Sequence, residues 1–247
     1  MPPRAGLTIV ADDAALARAL AGLVITEAKG VIEKRGSFTL ALAGGSTPKA
    51  AYALLAHEAT AVDWARVRFF FGDERCVPPH DEQSNYHTAH QALLGPLGIA
   101  DAQVFRLRGE DAPGRAAVTY ADVLRRELSA TQDGIPVLDL VLLGMGPDGH
   151  TASLFPGSNP LTDDAALVRA PYVEAFTTYR LTLTPRVLNA GRVVAVATAG
   201  DAKADALHAV LEGSPDPTAY PIAILAPRSG DLRWLVDRAA AAKLATG

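Results

Sequence analysis

Short apolar runs, several unbroken by a polar side chain, alternate along this chain with longer segments of helical periodicity. Candidate strands are Leu7–Val10, Phe38–Leu42, Val67–Phe71, 104–107, 138–143 and Val193–Thr198. The run LDLVLLG suits a parallel strand covered on both faces, because an exposed face would impose polar alternation. Helical segments are expected over 12–34, 48–57, 84–94, 113–130 and 201–211. In the first, Leu16, Leu20, Leu23 and Ala28 share one face, Asp12 suits the N-cap and Gly36 lies just beyond the end. Alternation of this kind predicts an α/β fold with a mainly parallel, open sheet and helices on both faces. No linker divides the chain, so 1–247 reads as one domain, allowing for a smaller subdomain around 161–183.

Composition then removes whole classes of function. Apolar residues make up 49% and charged residues 20%, enough to build a core and too apolar for wholesale disorder. The net charge of −4 disfavours nucleic acid, whose binders carry a basic excess. No stretch is long and apolar enough for a membrane span, and MPPRAGLTIVADD lacks the cationic and apolar parts of a secretion signal. The single cysteine, Cys76, allows no intrachain disulfide and no cysteine-based zinc site, which fits a reducing, cytoplasmic setting. Its acidic neighbours Asp73 and Glu74 disfavour a thiolate, so Cys76 reads as a small buried residue.

Ligands of open α/β sheets bind at the carboxyl ends of strands, so the loops leaving the strands carry the function. After Phe38–Leu42 comes AGGSTP, with Gly44, Gly45, Ser46 and Thr47 leading into a helix. Thr47 suits the N-cap and Pro48 the first helical position, leaving free N–H groups at a positive helix end, a phosphate cradle. After Val67–Phe71 comes GDERCVP, where Arg75 suits a phosphate or carboxylate. After 138–143 comes GMGPDGHTASLFPG. Its Gly144, Gly146 and Gly149 match a dinucleotide fingerprint formally. However, Pro147 interrupts it, it is not in the first βα unit, and no acidic residue ends a strand some 20 positions on. His150 at this exit suits general-base work, with Asp148 placed to orient it or to fold back on the loop. Lys203, in the expected first turn of a helix, opposes the helix dipole unless an anion is present or Asp201 and Asp205 neutralise it. His87 and His90 lie three apart with no third ligand nearby, so no metal site is expected.

Together, AGGSTP, GDERCVP with SNY, LLGMGPDGHTASLFPG, YRLTLTPRVLNAGR and GDAKADAL strongly resemble the glucosamine-6-phosphate isomerase/6-phosphogluconolactonase family, in its lactonase branch. The resemblance covers nearly the whole chain, from about Leu7 to Trp234. It implies an open Rossmann-like sheet. Deaminases of the family continue the His segment as GHIAFNEPG, with a catalytic-site Glu, whereas here GHTASLFPG has no carboxylate.

The resemblance implies hydrolysis of 6-phospho-D-glucono-1,5-lactone with no cofactor and no metal. It places the phosphate at Gly45, Ser46 and Thr47, with Arg75 and Lys203 as cationic partners and Arg180 as a weaker one. His150 would activate water, and N–H groups of the 146–150 loop, or Arg75, would hold the oxyanion. Ser46 and Ser153 are nucleophiles by type only, since neither lies in a GxSxG elbow. The alternatives are a glucosamine-6-phosphate deaminase-like enzyme and a non-catalytic sugar-phosphate sensor. A sensor is expected to carry a DNA-binding module, for which the few residues before Leu7 leave no room. The sequence names no protein partner.

Overall fold

Residues 13–35 become helix α1 (Asp13–Arg35) because both ends are chemically marked. The Asp12 side chain accepts from the Ala15 N–H at 2.8 Å, and Gly36 closes the helix at φ 80°. The computed structural model describes residues 6–158, 165–227 and 229–245. Part of the expected subdomain, 161–164, lies outside the described residues.

The principal sheet has six parallel strands: β1 (Leu7–Val10), β2 (Phe38–Leu42), β3 (Val67–Phe71), β5 (Leu140–Gly144), β9 (Val193–Thr198) and β10 (Asp231–Asp237). Their spatial order is β1-β10-β9-β5-β2-β3. All six residues of β9 are buried, as a strand covered on both faces must be. Helix α2 (Ser46–His57) packs on α1. Helix α4 (Pro113–Glu127) sends Tyr120 to the Phe71 N–H, bonded at 2.8 Å.

Chain order reverses at the sheet centre. From β2 the chain moves outward to β3, then returns past β2 to lay down β5 and, further on, β9 and β10. The carboxyl ends of β2 and β5 therefore diverge into loops on opposite sides, opening the crevice where α/β ligands bind.

A second sheet is antiparallel: β4 (Asp73–Arg75), β8 (Thr178–Leu183) and β6 (Val168–Arg169), with β7 (Tyr172–Val173) also pairing β8. It corresponds to the expected subdomain, with β4 borrowed from the loop after β3. It shares one continuous hydrophobic cluster with the parallel sheet. Among the described residues the other α-helices are α3 (Asn85–Ala89), α5 (Pro185–Leu188) and α6 (Ala204–Glu212).

Two strand expectations need correction. The segment 104–107 forms one isolated bridge, Phe69 with Val104, not a strand. Conversely β10, not expected, fills the gap between β1 and β9. The strand expected over 138–143 begins at Leu140. Asp139 is held before it by Arg35, Arg192 and the Thr39 N–H.

Candidate active site

A cavity of about 290 Å³ opens at the carboxyl ends of β2, β5 and β9. Its walls include Gly44, Gly45, Ser46, Thr47, Asp73, Arg75, His150 and Lys203.

The α2 end is built from backbone. Gly45, at φ 110°, is the N-cap residue and supplies no side-chain cap. Thr47 is therefore not the N-cap, and Pro48 is not the first helical residue, contrary to expectation. Thr47 is buried and its hydroxyl donates to Asp13 Oδ1 at 2.8 Å, away from ligand duty. What this end offers a ligand is N–H groups at a helix start with no acidic residue in its first turn.

The β5 end is built from side chains. Asp148 Oδ1 lies 2.6 Å from His150 Nδ1 and also accepts from the His150 N–H at 3.1 Å. A carboxylate only accepts, so in the neutral imidazole Nδ1 carries the hydrogen and Nε2 the lone pair. The imidazole, 27% exposed, rests on Phe155 at 4.4 Å between ring centroids. A Cβ on Gly146 would fall 2.1 Å from His150 Nδ1 and 2.6 Å from Asp148 Oδ1, so only glycine lets this pair close.

One expectation is narrowed here. The Gly146 N–H donates to His150 O, the Gly149 N–H to Gly146 O and the His150 N–H to Asp148. Pro147 has no N–H to give. These three N–H groups are committed to holding the loop shut, which leaves Asp148 N–H as the loop donor outside those bonds.

Cations line the remaining wall. Arg75 lies in the cavity, its guanidinium anchored on the Gln83 carbonyl. Lys203 ends a short 3-10 turn and occupies the N-cap position of α6, not its first turn. Asp201 turns to the Ala202 N–H and Asp205 pairs with Lys243, so neither provides the expected neutralisation by contact. Burial pulls the Lys203 ammonium below the usual lysine range, with Asp148 acting in the opposite sense. Arg180 pairs with Arg75 in register but is not in the cavity wall. Its guanidinium lies 5.1 Å from the centre of the Phe176 ring. Burial, then Arg75, lowers its pKa.

Sequence reasoning missed a network beneath these groups. Buried Glu74 accepts from the N–H groups of Arg75, Asn85 and Tyr86 and from the Ser84 hydroxyl. This folds the chain after β4 back, so that Asn85 reaches the cavity. Burial pushes the Glu74 carboxyl up despite those bonds. Asp73 meets Asn85 Nδ2 at 3.1 Å and Ser153 Oγ at 2.7 Å. The only sequence signal was position: Asp73 follows a strand end by two residues. Burial also pushes the Cys76 thiol up, against a nucleophilic role. Among the described residues, no His, Cys, Asp and Glu cluster could hold a metal ion. Nor, among them, is any helix long and apolar enough to cross a membrane.

Comparison with known proteins agrees with the family resemblance. Residues 11–234 match the family model described as glucosamine-6-phosphate isomerases/6-phosphogluconolactonase. The 6-phosphogluconolactonase of Treponema pallidum is 40% identical, over 78% of this chain and 80% of that protein. The Nostoc sp. 6-phosphogluconolactonase is 36% identical over 96% of this chain and 97% of its own. The solved structure of the Trypanosoma brucei 6-phosphogluconolactonase superposes with a TM-score of 0.87. It covers 97% of this chain and 98% of that one at 29% identity.

Proposed function

This chain belongs to the family of glucosamine-6-phosphate isomerases and 6-phosphogluconolactonases, and we propose that it hydrolyses 6-phospho-D-glucono-1,5-lactone to 6-phospho-D-gluconate in the pentose phosphate pathway. The carrying observation is the 2.6 Å Asp148–His150 contact, with His150 lining the same cavity as the helix start at Gly45–Thr47. One end of that cavity suits a proton acceptor and the other suits an anion, as a phosphorylated lactone requires.

The phosphate lies at the N–H groups of Ser46 and Thr47, with Gly44 and Gly45 giving close approach and Lys203 adding charge. His150 Nε2 takes a proton from water as the water oxygen bonds to the lactone C1. Asp148 steadies the resulting imidazolium, and Arg75 is the charged donor available to the oxyanion. When the C1–ring-oxygen bond breaks, protonated His150 returns the proton to that oxygen. Water is consumed, the acid is formed, and no external redox agent enters. Arg180 acts behind the wall, through Arg75, rather than on the phosphate. Loops from both sheets meet at the same cavity, which supports reading 1–247 as one working domain.

The deaminase alternative needs a carboxylate in 149–157, and none stands there. The sensor alternative leaves the Asp148–His150 pair without a task. The test is hydrolysis of freshly generated 6-phosphogluconolactone, corrected for its spontaneous opening, beside glucosamine 6-phosphate. Acceleration of the lactone alone is expected. Turnover of glucosamine 6-phosphate alone would overturn the reading, and turnover of neither would favour a sensor.

A further inference from the structure

A carboxylate stands in a cavity otherwise suited to an anion. Asp73 lines the same cavity as Arg75, Ser46 and Lys203, so its carboxylate opposes a phosphate brought against it. Among the described residues no Lys or Arg forms an ion pair with it, although its charge acts through space on Arg180.

Its position is nevertheless closely determined. Oδ2 accepts from the hydroxyl of Ser153 and Oδ1 from the amide of Asn85. The same amide donates to the Asp73 carbonyl at 2.9 Å. Both partners are buried, each 2% exposed. Asn85 in turn sits against Gly44, where a Cβ would come within 1.9 Å of its Oδ1. The loops leaving β2, β3 and β5 thus converge to hold one carboxylate at the cavity wall.

Each carboxylate oxygen has about two acceptor sites, and the protein fills one on each. The two that remain suit a pair of hydroxyl donors on adjacent carbons. We propose that Asp73 is a specificity-determining residue that accepts hydrogen bonds from the sugar hydroxyls between phosphate and ester. It would also repel the phosphate, so that the ligand enters in one direction only. Attraction for the right group and repulsion of the wrong one are the two components of specificity. The idea rests on the sugar-phosphate reading above, and a binding experiment separates the two.

Calorimetry would compare 6-phosphogluconate with its 2-deoxy and 3-deoxy counterparts, on the wild type, Asp73→Asn and Asp73→Ser. Inorganic phosphate serves as the control ligand for an intact helix-end site. For the wild type, loss of at least one hydroxyl should weaken binding about 10- to 100-fold, as for a hydrogen bond to a charged group. In either variant that ratio should shrink to about threefold or less, with phosphate affinity held or slightly increased. A wild type indifferent to both deoxy ligands would overturn the proposal without any variant. So would a variant that keeps the wild-type ratio. Failure of the lactonase reading would appear in the hydrolysis assay instead and leave these ratios interpretable.

Discussion

The two ends of the cavity are made by different means. At α2 the cavity is faced by backbone N–H groups and the exposed Ser46, while the buried Thr47 hydroxyl is turned to Asp13. At β5 the cavity is faced by the His150 side chain, and the Gly146, Gly149 and His150 N–H groups are taken up in closing the loop. Side-chain replacement should therefore be severe at the β5 end and mild at the α2 end.

The largest effects fall on the dyad. Asp148→Asn keeps shape, but its amide no longer selects the Nδ1–H form of His150 and cannot balance an imidazolium. Its kcat should drop about a hundredfold or more, within the range of a lost general base, with KM little changed. Gly146→Ala should approach the same loss, since its Cβ falls 2.1 Å from His150 Nδ1. Steady-state kinetics checks both, and near-normal kcat in either would show that the pair is not used.

Lys203 should show an intermediate effect, read in binding. Lys203→Ala is expected to raise KM for the phosphorylated lactone about tenfold, typical of a lost charge-assisted contact, with kcat less affected. Burial lowers the pKa of this ammonium, so its charge is present at low pH and fades as pH rises through a value below the usual lysine range. Inhibition by 6-phosphogluconate should therefore weaken with rising pH in the wild type, and Lys203→Arg should remove that weakening. A pH-independent inhibition constant would take Lys203 out of the phosphate site.

The smallest kinetic effect belongs to Thr47. Thr47→Val removes the bond to Asp13, so thermal unfolding should show a loss of about 1 kcal/mol while KM stays within about twofold. A KM rise comparable with that of Lys203→Ala would mean that the hydroxyl does reach the ligand.

How far the sequence foretold this follows from what each element depends on. The strands β5 and β9 are readable because burial on both faces makes them nearly continuous apolar runs, and β2 and β3 because only Thr39 and Arg68 interrupt theirs. Strand β10 is not, because Asp231 and Arg233 interrupt DLRWLVD and only its later residues are buried. The antiparallel strands of two or three residues are too short to show a period. In the site, His150, Asp148 and the AGGSTP turn are local and could be read locally. Asp73 meets Asn85 across the turn that follows β4 and Ser153 in the loop after β5, and no local spacing announces either contact. Thr47 misled because Thr suits an N-cap by type, whereas here Gly45 holds that place and Thr47 finds Asp13.

The most direct test of a side-chain base at one end and a backbone cradle at the other is His150→Gln on freshly generated 6-phosphogluconolactone, with wild type and variant read side by side. The expected result is a fall in kcat of about 10²- to 10⁴-fold with KM nearly unchanged. Near-full turnover by the variant, or a loss confined to KM, would contradict it.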